Sequence, residues 1–152
     1  MSTLRFNHME LTLPVGELDR LREPIRDFYQ DVFQIESLDV PILGQTGLLL
    51  RTDPETSQFI LITEQKNHIR SPGYDHLGFL LDTRTDVDAL REKCGKWQER
   101  DSRVEIKDYE DLVIENTTVR AFYVRYLLPI WFDVQVIEYA DGTEPERSWR
   151  FQ

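Results

Sequence analysis

Two stretches decide how this chain is read: FNHMELTL at residues 6–13 and YDHLGFLL at residues 74–81. Each runs from an aromatic residue through Asn or Asp to His and then to a large apolar residue. They lie nearly half of the 152-residue chain apart. One histidine in a strand is commonplace. Two in matched contexts at that separation point to an internal duplication.

The order of elements around the two stretches supports the duplication. LRFNHMELTLP reads as a strand ending near Pro14, and the spacing of Ile25, Phe28, Tyr29, Val32 and Phe33 predicts an amphipathic helix over 24–33. Pro24 suits a first helical turn, so the residues before it are expected to form a separate turn or loop. IESLDV, GLLLRT and QFILITE then read as three strands divided by turn-forming clusters. After EQKNHIRSPG the series starts again. YDHLGFLLD is a strand, and TDVDALREKCGKWQE is a helix opened by Thr85 and Asp88, with Val87, Leu90, Cys94 and Trp97 as its buried stripe. RVEIKDY, TTVRAFYVRYLL and WFDVQVIEY are three further strands. The expected fold is α+β: a βαβββ module at 4–66, a linker at 67–73, a second βαβββ module at 74–140 and a polar tail at 141–152. The two modules are expected to build one curved mixed sheet around a cleft.

Composition narrows the function classes. A formal net charge of −10 with 30% charged and 40% hydrophobic residues suits a soluble globular protein. It argues against nucleic acid and against anionic membranes, both of which require a cationic face. Cys94 is the one cysteine, so neither an intrachain disulfide nor a cysteine-rich zinc site is available. No stretch resembles a signal peptide or a membrane span, and a cytoplasmic location is expected.

Strand alternation places His8 with Phe6, Glu10 and Thr12, and His76 with Tyr74, Gly78 and Leu80. Glu138 extends the apolar row Val134–Val136, and Glu64 extends Ile60–Ile62. A carboxylate among apolar neighbours is costly without a compensating cation or hydrogen bonds. Two histidines and one or two glutamates in matched places are expected to converge on the pseudo-twofold axis, where they would suit a divalent transition metal.

FNHMEL, IRDFYQDVF, YDHLGFLL and VQVIEY together resemble the vicinal oxygen chelate superfamily, which includes glyoxalase I, extradiol dioxygenases, and fosfomycin- and bleomycin-resistance proteins. The resemblance covers residues 4–140 in arrangement. It implies His8, His76 and Glu138 as metal ligands. The fourth position falls on Glu64 in one register and on Ile62 in another, the latter leaving three ligands. Fe(II) or Mn(II) is the metal implied, with Zn(II) or Ni(II) as alternatives. The activity implied is that of a metalloenzyme of dioxygenase, lyase or transferase type on a small oxygen-bearing organic substrate. Glu10, Tyr123 and Tyr126 are the candidates for proton transfer, and Phe6, Tyr74, Trp131 and Phe132 for lining the ligand site. The rival reading is a metal-free small-molecule binder like the bleomycin-resistance proteins. Where the superfamily commonly has a polar Asp-Pro-Asp-Gly-like turn, this chain has LLPIWF at 127–132. Such an apolar patch, together with the resemblance, leads to the expectation of a homodimer.

Overall fold

The alternation in the sequence becomes two sheets, each with one face under helices and one face open. The computed structural model describes residues 4–55 and 58–146. The first module runs β1 (His8–Leu13), α1 (Glu17–Phe33), β2 (Glu36–Ile42), β3 (Gln45–Arg51) and β4 (Phe59–Glu64), with the strands ordered β1-β4-β3-β2. The second runs β5 (His76–Leu80), α2 (Arg84–Arg100), β6 (Glu105–Asp108), β7 (Leu112–Ile114), β8 (Thr117–Arg125) and β9 (Trp131–Tyr139), ordered β5-β9-β8-β6. β1 is parallel to β4 and β5 to β9, and the remaining pairs are antiparallel. The α+β class and the duplicated order agree with the sequence reading. Two details differ. The short β7 adds a strand that pairs with β8, and the modules form two mixed sheets rather than one, with β1 and β5 each a terminal strand of its own sheet.

Helix α1 starts seven residues earlier than the apolar spacing predicts and runs straight through Pro24. Leu18 and Leu21 are buried and extend the stripe of Ile25, Phe28, Tyr29 and Val32 by two turns. That burial, with a cap supplied from β4, offsets the roughly 3 kcal/mol that an interior proline costs a helix. In α2 the capping residue is Thr83 rather than Thr85. Its hydroxyl accepts from the Asp86 N–H at 3.1 Å and donates to the Asp86 carboxylate at 2.6 Å.

One core joins the modules. Leu11, Leu13, Leu48, Leu50, Ile60 and Ile62 meet α1 from the first sheet, and Phe122, Val124, Phe132, Val134 and Val136 come from the second. Phe28 packs on Tyr126 and Trp97 with ring centroids 4.5 and 5.4 Å apart. The Tyr29 hydroxyl donates to the Tyr126 carbonyl at 2.8 Å, and the Trp97 indole donates to Asp31 at 2.7 Å. The LLPIWF stretch is also covered by its own chain: Leu128, Ile130 and Phe132 join the core, and Trp131 is buried on the other face of β9 against Tyr74 and Arg125. The apolar patch that motivated a dimer is therefore satisfied internally. The described part of the tail, 141–146, is exposed, and the rest of it lies outside the described residues. Among the described residues no helix is long and apolar enough to cross a membrane.

Candidate functional site

The helix-side rows fix which residues reach the open faces. In β9 the core row is Phe132, Val134 and Val136, so Trp131, Asp133, Gln135 and Ile137 point the other way. In β5 the core side is Leu77 and Phe79, leaving His76, Gly78 and Leu80 on the open side. β5 and β9 pair His76 with Trp131 and Gly78 with Asp133. Cross-strand partners share a face, so His76 and Asp133 stand together.

The His76 Nδ1 is 2.8 Å from the Tyr74 carbonyl, which can only accept. In the neutral ring the proton sits on Nδ1, and Nε2 presents its lone pair. That nitrogen faces Asp133 Oδ2 across 3.7 Å, beyond hydrogen-bond reach. Asp133 is only 7% exposed, and its Oδ1 is buried with no hydrogen-bond partner. Burial pushes its carboxyl above the usual aspartate range, and the nearby His76 offsets this only in part. His76 is exposed, whereas Asp133 is buried; a buried carboxylate with an unpartnered oxygen is costly unless a cation or a proton accompanies it. The ring of Tyr123 packs on His76 at 4.7 Å, and burial followed by the Asp133 charge raises its hydroxyl pKa. Tyr74 packs on Trp131 at 5.3 Å, and Tyr109 on Tyr123 at 4.7 Å, forming an aromatic wall around the pair.

His8 has the matching place in the first module. Its Nδ1 is 2.6 Å from Asn7 Oδ1, its ring stacks on Phe59 at 4.9 Å, and it pairs with Phe59 as His76 pairs with Trp131. The residue in the place of Asp133 is Leu61, since β1 pairs Glu10 with Leu61. The first module thus offers a histidine on its open face and no acid on the fourth strand beside it. Ile62, the other candidate for that position, is in the core.

The two glutamates read as ligands lie elsewhere, for one shared reason. An apolar row packs beneath a helix, so an acid that extends the row ends at the N-terminus of that helix. Glu64 accepts from the backbone N–H groups of Gly16 and Leu18 at 2.8 and 2.7 Å, capping α1 where Gly16 has no side chain to do so. Glu138 lies on the helix side of β9, 2.5 Å from the guanidinium of Arg84, the first residue of α2. Arg84 also pairs with Asp111 at 2.7 Å. Glu64→Ala is expected to destabilise the fold by about 1–2 kcal/mol, a fall of roughly 3–6 °C in Tm by calorimetry. Glu138→Gln removes a half-exposed ion pair and is expected to cost less than about 1 kcal/mol.

The other predicted residues divide in the same way. Tyr123, Tyr74 and Trp131 are on the open face near His76. Phe132 is instead core, packed on Tyr29, Phe33 and Phe79, because its even-numbered row faces the helices. Tyr126 is buried against Phe28 and donates its hydroxyl to Asp101 at 2.7 Å, which commits it to structure. Glu10 accepts from the buried Thr63 hydroxyl at 2.6 Å on the open face of the first sheet, and Phe6 is exposed just ahead of β1. Among the described residues of one chain, no group of three His, Cys, Asp or Glu side chains converges to hold a metal. What one chain assembles is the pair His76–Asp133. The sequence reading missed Asp133, although its alternation with the apolar row Phe132–Val134–Val136 carried the signal.

No protein-family model matches the chain, and no curated protein matches it in sequence. Solved structures do match it in shape. A glyoxalase family protein from Bacillus anthracis superposes with a TM-score of 0.63 at 17% identity, covering 91% of this chain and 98% of that one. The fosfomycin resistance protein FosX from Listeria monocytogenes gives 0.58 at 17% identity, covering 90% and 93%. Lactoylglutathione lyase from Agrobacterium tumefaciens gives 0.57 at 16%, covering 89% and 95%. The architecture is that of the glyoxalase-like proteins.

Proposed function

We propose that the protein is a divalent-metal-dependent enzyme acting on a small oxygen-bearing organic substrate, with His76 and Asp133 of one chain and His8 of a second chain holding the metal. One observation carries this reading: the buried Asp133 carboxylate faces the His76 Nε2, and its second oxygen has no hydrogen-bond partner. Two imidazoles and a carboxylate suit Fe(II) or Mn(II), with Zn(II) or Ni(II) as alternatives. A metal in that place supplies Lewis-acid polarisation of a substrate oxygen. The chain's own residues do the rest. Tyr74 and Trp131 orient the substrate body and exclude water. Tyr123, protonated at neutral pH, holds a proton beside His76. His8 comes from a second copy because β1 and β5 are both terminal strands, and a twofold pairing of these edges satisfies both. A cytoplasmic setting accords with a single buried cysteine.

Elemental analysis of protein purified without chelators or an immobilised-metal column tests the reading. The expected result is about one divalent metal per chain in the wild type and in Glu138→Gln, and a loss of more than about 90% in His76→Ala. A wild type no richer in metal than His76→Ala would sink the proposal. The aromatic wall of Tyr74, Tyr109, Tyr123 and Trp131 would then speak for a metal-free small-molecule binder.

A further inference from the structure

We infer that Lys107 is an oxyanion-binding position on the open face of the second sheet, so that the substrate is a small organic carboxylate. Lys107 pairs with Tyr123 in the β6–β8 register, and Tyr123 pairs with Asp133 in the β8–β9 register. All three side chains therefore share the open face. The Lys107 ammonium lies 4.7 Å from the ring centre of Tyr74 and 5.2 Å from that of Tyr109. Both rings lead through Tyr123 to His76.

The acids around Lys107 are engaged by other groups. Glu105, on the same strand and face, pairs with Arg125 at 2.7 Å. Asp108 points to the helix side and pairs with Arg91 at 2.6 Å, and Asp75 takes the Ser71 hydroxyl at 2.7 Å. Among the described residues Lys107 has no ion-pair partner. Arg125 differs: it too stacks on a ring, that of Trp131 at 4.6 Å, but its charge is neutralised by Glu105.

Tyrosine faces hold an ammonium through their quadrupoles without cancelling its charge. Lys107 is thus positioned between rings and keeps its full charge for a ligand. A single lysine suits a monoanion, whereas a doubly charged phosphonate or phosphate usually draws several cationic donors. Lys107 and Asp133 are two strand spacings apart, about 10 Å at the backbone. A small aromatic carboxylate spans that gap, with its carboxylate on Lys107, its ring along the tyrosines and an oxygen at the far end near His76. This assignment rests on the proposed active face, yet it is tested apart from the metal because anion binding at Lys107 needs none.

The test uses metal-stripped full-length protein titrated with benzoate, benzamide and phenylphosphonate, followed by amide chemical shifts. Benzoate is expected to bind saturably and at least about tenfold tighter than either analogue. Lys107→Met is expected to reduce that preference to within about twofold at unchanged Tm, and Lys107→Arg to keep most of it. Absence of saturable benzoate binding, equal binding of benzamide, tighter binding of phenylphosphonate, or a preference that survives in Lys107→Met would each overturn the inference. None of these outcomes bears on metal content, so failure here and failure of the metal reading are separately visible.

Discussion

Asp133→Asn is expected to weaken divalent-metal binding at least about 100-fold while raising the stability of the metal-free protein. The two effects share one cause. A buried aspartate with an unpartnered oxygen costs the fold, whereas the same carboxylate next to a cation is a ligand. Asparagine has nearly the same shape and carries no charge, so the substitution relieves desolvation without leaving a cavity. A gain of about 1 kcal/mol, or roughly 3 °C in Tm measured in chelator, is expected at neutral pH. The pH dependence has a definite sign. The folded-state pKa of Asp133 is raised, so the folded chain retains the proton over a window that opens at the unfolded aspartate value. Its contribution to stability falls as pH rises through that window. The gain from Asp133→Asn should therefore vanish below the ordinary aspartate range and be complete above the raised value. A variant that loses stability at neutral pH and keeps its metal would make Asp133 a structural residue.

The fold was legible because its signals are local and repeated. The strand at 131–139 has the bounds expected for it, and the matched histidine stretches became β1 and β5. The candidate site was read from two histidines and two glutamates; the histidines stand on the open faces of their sheets and the glutamates on the helix sides. Glu64 and Glu138 attract attention because each ends an apolar row, but that row is the one beneath the helices. Faces, unlike spacing, depend on which side of a sheet its helix covers, and that is a tertiary fact. Once the even-numbered row of β9 is assigned to the core, Phe132 belongs inside and Asp133 outside. The extension of α1 past Pro24 was not readable locally, since its cap comes from Glu64, 48 residues from Gly16. The inward turn of Leu128 and Ile130 was likewise hidden, because an apolar run looks the same whether its own chain or a partner covers it.

Mixing two metal-free variants is expected to restore metal binding that neither has alone. His8→Ala keeps His76 and Asp133, and His76→Ala keeps His8. If the centre is built between two copies, a mixed dimer has one intact centre made of the two undamaged halves. With random pairing half of the dimers are mixed, so an equimolar mixture should recover about one quarter of the wild-type metal content. If each centre lies within one chain, recovery stays near zero at any ratio. Several features favour the shared arrangement. The two histidines stand on the terminal strands β1 and β5, and no third ligand joins His76 and Asp133 among the described residues of one chain. Phe6 and Tyr74, immediately ahead of those strands, are 57% and 50% exposed, which leaves apolar surface beside both edges for a partner to cover. The net charge of −10 opposes association at low salt, so reassembly belongs at physiological ionic strength. Light scattering on the same samples separates the cases: a mass that stays near 18.1 kDa at every concentration removes the shared centre, whatever the metal content.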